Sequence, residues 1–200
     1  MGKYTAFVDV GKTIIELFKE HLVPEPLEKP ESIGMCSPSD RGNFTVGIHL
    51  YDYFENSGFG KLEPRILPNG YVQNAPKSYS LCFMISVASK AEVMIRTAEE
   101  ARIIGKILQV VADNPVLPPE KMPESLRGTN EQIAIKTLNL KLEDKIRIWS
   151  MYNEPYRQSV FIDATPVLIE SSVIKVPAKR VRVAGVDNEF KSQLDNVIER

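Results

Sequence analysis

The chain has 200 residues, of which 43% are hydrophobic and 26% charged, and this composition fits one globular domain of ordinary size. With 25 basic and 26 acidic residues its formal net charge is -1, so no global field attracts nucleic acid or an anionic membrane. Two cysteines are too few for a disulfide framework and indicate a reducing compartment. Charges interrupt the first 22 residues, which excludes a secretory signal or membrane span there, and we expect the chain to stay where it is made.

The N-terminal segment predicts a surface helix over residues 5–22 that prolines end within a few positions. Its apolar residues recur at helical spacing: Val8, Ile14, Ile15, Leu17, Phe18 and Leu22. Residues 24–42, rich in Pro, Ser and Gly, predict an irregular connection. Residues 44–51 then alternate apolar and polar side chains, which predicts a strand with one apolar face.

Residues 55–77 carry Pro and Gly breaks too closely spaced for regular structure, which predicts a long, mobile, exposed loop. Within it, Pro68, Asn69 and Gly70 form a sequence able to close a hairpin. Loops of this length in a compact domain are more often functional or disordered than idle. The segment is therefore a candidate binding region.

The middle of the chain predicts a central strand followed by the longest helix. Residues 79–87 are apolar nearly throughout, as in a strand covered on both faces. Residues 90–112 show an apolar stripe that predicts the buried side of a helix, formed by Met94, Ala98, Ala101, Ile104, Leu108 and Val111. A further alternating strand is expected over residues 132–140.

Residues 140–172 predict a short helix, a tight turn and a long strand. Leu142, Ile146 and Trp149 are spaced to share one helix face, and Asn153 to Pro155 stop the helix. We interpret Trp149, Pro155 and Tyr156 as structural anchors: a core residue, a helix stop and a turn residue. The strand over residues 159–170 should place Val160, Ile162, Ala164 and Leu168 on one face and Phe161, Asp163, Thr165, Val167 and Ile169 on the other.

The order of elements does not alternate regularly enough for a doubly wound parallel sheet, so we expect an α+β fold. Its mixed or antiparallel sheet should have four or five strands, packed by three main helices on one main face. Residues 1–175 form the expected domain. Residues 176–200 are expected to add a basic edge strand and a C-terminal helix or tail.

No residue pattern points to catalysis, a metal or a cofactor. Gly11, Lys12 and Thr13 look like the end of a phosphate-binding loop, but Ala6 stands where that loop needs a Gly, so they are expected within or beside the first helix. Neither His21 nor His49 has a partner at metal-ligand spacing, and His49 is interpreted as the polar side of its strand. Cys82 fits a buried hydrophobe and Asp163 a polar-face residue.

Several motifs in order resemble the cap, or tube-terminator, family of contractile injection systems, the phage-tail-like particles that include antifeeding prophages and Photorhabdus virulence cassettes. The resemblance covers about residues 4–173, and its most specific block is IWSMYNEPYRQSVFIDATPVLIESS. The other matching segments are FVDVGKTIIELFKEHL, CSPSDRG, FTVGIHLYDYFEN, YSLCFMISVAS and ADNPVL. The chain ends soon after the last block, whereas some family members carry a further C-terminal region.

This resemblance implies a tail-terminator-like domain that forms a hexameric ring at the end distal to the baseplate and joins the inner tube and sheath. It implies no reaction, and from the balanced charge and the charged N-terminal segment we expect no nucleic-acid partner and no membrane segment. Assembly is expected in the cytoplasm, within a particle that is released or membrane-attached.

The resemblance does not say which residues touch partners, so we form a hypothesis from the sequence. Aromatic and Arg side chains are favoured at interfaces, which points to Phe59, Arg65 and Tyr71 in the long loop. The basic segment with Lys179, Arg180 and Arg182 is the second candidate, as an edge strand able to accept a strand from the sheath protein. The alternatives left open are another tail-completion or baseplate connector subunit and a nucleotide-binding enzyme that uses Gly11–Thr13.

Overall fold

The computed structural model describes residues 4–56, 62–127 and 132–176. Its helices there are α1 (Ala6–Leu22), α2 (Val93–Asp113) and α3 (Leu142–Ser150), with 3-10 turns at Pro30–Ser32 and Pro119–Lys121. Its strands are β1 (Ile33–Met35), β2 (Val46–Glu55), β3 (Arg65–Ile66), β4 (Val72–Gln73), β5 (Lys77–Val87), β6 (Ala134–Thr137), β7 (Ser159–Ile169) and β8 (Ile174–Lys175). None of these helices combines the length and the apolar character needed to cross a bilayer.

The main sheet has five strands in the order β1-β2-β5-β7-β6. β1 runs parallel to β2, and the other neighbours are antiparallel. β5 lies in the middle, as its nearly continuous apolar sequence predicts, because a strand covered on both faces has no solvated side. The prediction of an α+β fold with a mixed sheet of four or five strands is confirmed.

α1 and α2 cover one face of the main sheet and form the larger hydrophobic core. Ile14 and Phe18 of α1 are fully buried with Ile48, Phe83 and Ile162 of the sheet. The predicted stripe of α1 is correct except at Val8, which is 40% exposed. A step of about 100° per residue turns Val8 away from the face that Val10 and Ile14 occupy.

α3 covers the opposite face of the sheet, so the prediction that the helices lie on one main face is wrong. Trp149, 1% exposed, packs there with Met84 and Phe161. The predicted helix face is also wrong in part, since Leu142 is 55% and Ile146 43% exposed. Ile148 and Tyr152 pack beside Trp149 instead, which rotates the buried side of α3.

α2 is buried on a different stripe from the predicted one. Its fully or nearly buried residues are Ile103, Ile107, Val110 and Val111. Met94 is 94% exposed and Leu108 is 41% exposed, although both belong to the predicted stripe. No residue of α2 before Ile103 is buried.

β7 changes its alternation at one irregular step. Leu81 of β5 pairs with Ala164, whereas Tyr79 pairs with Val167. Between these two pairs β7 advances by three residues and β5 by two, so β7 contains one extra residue. Val167 therefore joins the larger core with Ala164 and is fully buried. The predicted faces of Val167 and Leu168 are wrong because one extra residue reverses the alternation.

Candidate functional site

A second, three-stranded sheet is the most distinctive feature outside the main core. It has the order β3-β4-β8, and we call it the satellite sheet. β3 and β4 form a hairpin, and Val72 of β4 pairs with Lys175 of β8. Segments separated by about a hundred residues of sequence thus meet in one surface. The wholly irregular loop predicted for residues 55–77 is wrong for residues 65–73.

The hairpin turn follows the chemistry of its residues. Leu67 N–H donates to Tyr71 O at 2.8 Å, and Gly70 N–H donates to Leu67 O at 2.9 Å. Gly70 has φ of +79°, which a residue without a Cβ adopts at no steric cost. Asn69 Oδ1 accepts from Tyr71 N–H at 3.1 Å. The Pro68–Gly70 turn suggested by the sequence is therefore present.

The satellite sheet is joined to the main sheet where β5 begins and β7 ends. Gln73 Nε2 donates to Ser171 O at 2.6 Å, and Asn74 N–H donates to Val173 O at 3.1 Å. Arg65 Nη1 lies 3.9 Å from Glu170 Oε1. A cavity of about 230 Å³ opens at this junction, lined by Asn74, Ala75, Lys77, Tyr79, Ile169, Glu170 and Ser171. These contacts fix the orientation of the satellite sheet.

The satellite sheet exposes apolar side chains. Ile66 is 75% exposed, Ile174 54% and Val176 74%, and Tyr71 and Val173 are partly exposed beside them. A short sheet with an apolar surface and two outer strands, β3 and β8, offers both side chains and backbone edges to another chain. This arrangement suits protein binding.

The structure brings some of the predicted partner-binding residues together. Arg65 lies on β3 and Tyr71 directly precedes β4, so both belong to the satellite sheet. Phe59, Lys179, Arg180 and Arg182 lie outside the described residues. β8, which pairs with β4, stands shortly before the basic segment in sequence. Sequence reasoning missed Ile66 and Ile174 because two-residue strands give no periodic signal.

The three predicted structural anchors differ in their surroundings. Trp149 is buried, and its Nε1–H donates to Ser159 Oγ at 3.1 Å. Pro155 is exposed after the end of α3, and Tyr156 is 37% exposed. Tyr156 lines a cavity of about 370 Å³ together with Leu108 and Phe161.

His49 lies on the α3 side of the main sheet and contacts the end of α3. Its Nε2 is 2.9 Å from the Tyr152 hydroxyl, and the two rings meet edge to face. Burial lowers the pKa of His49 below its usual value, because a charged imidazole loses hydration there. The neutral ring therefore acts as a structural contact between β2 and α3, a role that alternation alone did not reveal.

Asp163 is a buried carboxyl group on the same face of the sheet. The residue is 5% exposed, its Oδ2 lies 3.6 Å from Lys136 Nζ, and no described group hydrogen-bonds its Oδ1. Burial raises the pKa of Asp163, and Lys136 opposes that rise. The expected polar-face residue is thus a buried acid with one charged neighbour. Among the described residues, no group of three or more His, Cys, Asp or Glu is placed to hold a metal ion.

Gly11, Lys12 and Thr13 lie inside α1, as expected. Thr13 is fully buried, and its Oγ1–H donates to Asp9 O at 2.8 Å. An ideal Cβ on Gly11 would lie 2.8 Å from Met35 Sδ, so this glycine faces the core and not a ligand. Backbone amides that are committed to helical hydrogen bonds cannot curl around a phosphate.

A family model described as the Pvc16 N-terminal domain matches residues 9–182. The fold is similar to that of a sheath/tube terminator of an extracellular contractile injection system, PVC, in the extended state. That match has a TM-score of 0.60 and 14% identity, and covers 95% of this chain and 69% of that one. The tube-terminating cap of the anti-feeding prophage matches with a TM-score of 0.57 and 11% identity, over 96% of this chain and 69% of that one. No curated protein matches the chain.

Proposed function

Because the chain belongs to the Pvc16 N-terminal domain family, we propose that it is a structural cap protein of a contractile, phage-tail-like injection system. It ends the inner tube and the sheath as a hexameric ring at the end distal to the baseplate. Its partners are further copies of itself, the tube protein and the sheath protein. It performs no reaction and uses no cofactor.

The observation that carries this proposal is the fold shared with a sheath/tube terminator over 95% of the chain. The terminator and cap structures that resemble the chain are structural components of injection particles. The position of Gly11, Lys12 and Thr13 inside α1, with Gly11 close to Met35, favours this function over nucleotide binding.

The satellite sheet is our candidate for contact with the tube or sheath. Ile66 and Tyr71 provide an apolar surface, and Arg65 adds a charged group at its edge. The outer strands suit pairing with an extended segment of a neighbouring protein, since backbone hydrogen bonds then supply affinity. Phe59 and the basic residues Lys179, Arg180 and Arg182 remain proposed contacts.

Termination has a simple physical basis in such a ring. Each layer of a growing tube exposes a new face that accepts the next layer. A ring that binds this face without offering a copy of it ends growth. Assembly takes place in the cytoplasm of the producing cell, and the finished particle is released or membrane-attached.

Deletion of the gene from a particle-producing cell tests the proposal. We expect tubes and sheaths of variable and excessive length on normal baseplates, as seen by negative-stain microscopy. Expression of the chain from a plasmid should restore a uniform length. A baseplate connector would instead leave few or no assembled tubes. Uniform particles of normal length without the chain would contradict both functions.

A further inference from the structure

The turn between β3 and β4 carries the one Asn-Gly pair of the sequence, Asn69 and Gly70. Both residues are exposed. Asparagine followed by glycine is the pair that loses its side-chain amide most readily, because glycine has no side chain to hinder attack by its main-chain nitrogen. The hairpin turn is therefore a candidate site of covalent modification.

The turn itself requires the glycine. Gly70 N–H donates to Leu67 O at 2.9 Å, and Leu67 N–H donates to Tyr71 O at 2.8 Å, which leaves a three-residue loop. In such loops a type I turn is followed by a residue with positive φ, and Gly70 has φ of +79°. A side chain at this position would strain the backbone. The fold thus keeps beside Asn69 the residue that makes its amide reactive.

The surroundings of the pair leave room for the reaction. An ideal Cβ built on Gly70 would meet no described atom within 4 Å beyond its two neighbours in the chain. Asn69 Oδ1 accepts from Tyr71 N–H at 3.1 Å, so the amide is folded back over the turn. The same hydrogen bond draws electron density from Asn69 Cγ and makes that carbon a better electrophile.

Opening of the turn controls the reaction. The Gly70 nitrogen must release Leu67 O before it attacks, and the Asn69 side chain must rotate away from Tyr71 N–H. β3 and β4 pair through two residues each. Because so short a ladder is marginally stable, it opens locally while the main sheet stays folded.

We propose that Asn69 is a site of spontaneous deamidation in the folded chain. The Gly70 nitrogen loses its proton to hydroxide and bonds to Asn69 Cγ, and the Cγ–Nδ2 bond breaks as ammonia leaves. Water then opens the resulting succinimide ring at one of its two carbonyl carbons. Cleavage between Gly70 N and Asn69 Cγ gives aspartate. Cleavage between Gly70 N and the main-chain carbonyl carbon of Asn69 gives isoaspartate.

The two products differ in their effect on the hairpin. Aspartate keeps the main chain unchanged and retains an oxygen that can accept from Tyr71 N–H. Isoaspartate adds one methylene group to the main chain of the loop. Since loop length and turn type fix the register of a hairpin, this product should disturb the pairing of Ile66 with Val72. The modification alters the satellite sheet whether or not the chain caps a tube.

Peptide mapping by mass spectrometry tests the proposal on the purified full-length chain, incubated in mildly alkaline buffer. The peptide with Asn69 should gain the mass difference between an amide and an acid. A succinimide that has lost ammonia should precede a mixture of aspartate and isoaspartate. Asn74 and Asn139 are internal controls, because Ala75 and Leu140 follow them, and both should remain amides over the same period.

Asn69→Gln is the control variant, because it keeps an amide at the turn while ring closure through a longer side chain is much slower. The mass gain should be lost in this variant. A synthetic peptide of residues 65–73 should react faster than the chain, since it has no folded sheet to open.

Three results would overturn the proposal. The first is an unchanged Asn69 in the chain under conditions in which the peptide deamidates. The second is a product that is aspartate alone, formed without a succinimide. The third is a rate that rises in step with global unfolding as urea is added, because the reaction would then require the unfolded chain.

Discussion

Trp149 Nε1–H donates to Ser159 Oγ at 3.1 Å, which ties the end of α3 to the first residue of β7. Ser159 Oγ–H in turn donates to Arg157 O at 3.2 Å, so the turn between the two elements is also held. The same indole fills the smaller core with Met84 and Phe161. One side chain thus sets both the packing and the direction of the chain at this point.

Trp149→Ala should lower the free energy of unfolding by about 3–5 kcal/mol, because it leaves a cavity beneath α3. Leu142→Ala on the same helix is the control, since Leu142 is 55% exposed and should change stability by less than about 1 kcal/mol. Urea unfolding measures both. Retained stability of Trp149→Ala together with lost capping would place Trp149 at an interface.

His49→Gln should reduce the loss of stability at acidic pH. The pKa of His49 is lowered in the folded protein, so the unfolded chain binds its proton more readily. The resulting loss of stability is absent above the ordinary imidazole pKa of about 6.5, and it grows as the pH falls from there toward the pKa of the folded protein. Unfolding free energies of wild type and variant, compared at pH 7.5, 6.5 and 5.5, should diverge. Parallel curves would exclude a buried neutral His49.

Asp163→Asn should show the opposite dependence on pH. Because burial raises the pKa of Asp163, the folded protein holds that proton more tightly than the unfolded chain. Ionisation therefore costs stability as pH rises above the ordinary Asp value of about 3.9. The stability of Asp163→Asn relative to wild type should increase between pH 4 and pH 7, as measured by urea unfolding at each pH.

Lys136→Met tests the contribution of the charged neighbour of Asp163. Removal of the ammonium group that lies 3.6 Å from Asp163 should raise the pKa of the acid further and reduce stability at pH 7. In the Asp163→Asn background the same change should have a smaller effect. An equal effect in both backgrounds would show that the two residues are not coupled.

Gly47→Ala and Gly105→Ala should change stability in opposite directions. A Cβ on Gly47 would lie 2.5 Å from Cys36 Sγ and 3.1 Å from Arg41 Nη2, so overpacking should destabilise the protein by about 1–3 kcal/mol. A Cβ on Gly105 of α2 meets nothing within 4 Å. The higher helix propensity of Ala should therefore stabilise the protein by about 0.5–1 kcal/mol. Thermal unfolding of both variants distinguishes these outcomes.

Ile66→Glu should impair capping without affecting the fold. Ile66 is 75% exposed on the satellite sheet, so the change in unfolding free energy should stay within about 0.5 kcal/mol. Tyr4→Glu provides a control, because it adds the same charge at another apolar position, 89% exposed. Negative-stain microscopy should show irregular tube lengths for Ile66→Glu only. Uniform tubes with both variants would exclude Ile66 from the contact.

The elements that long periodic sequences encode were predictable. The apolar stripe of α1 and the central position of β5 follow from local sequence. Each element keeps the same surroundings along its length, so its pattern of apolar residues is regular. The satellite sheet was only partly visible. Gly70 and its neighbours indicate the turn, but the pairing of β4 with β8 joins distant segments and leaves no local pattern.

The errors on α2 and β7 have separate physical causes. The helix carries two apolar stripes, and sequence periodicity does not distinguish the stripe at Ile103 and Ile107, which the sheet buries, from the exposed one at Met94. On β7, one extra residue near Val167 reverses the faces that alternation assigns. Neither the second stripe of α2 nor the extra residue of β7 changes the composition of the segment or its assignment as helix or strand.

The junction of the two sheets determines how the molecule carries mechanical load. The satellite sheet is connected through residues 74–76 to the start of β5 and through residues 170–173 to the end of β7, and Lys77 pairs with Ile169 at that point. A pull on the satellite sheet acts along these two neighbouring strands. Their hydrogen bonds to β2 and β6 run across that direction and share the force in shear. A contact made through this sheet would resist the sudden tension of a contracting particle better than one that peels a strand away bond by bond.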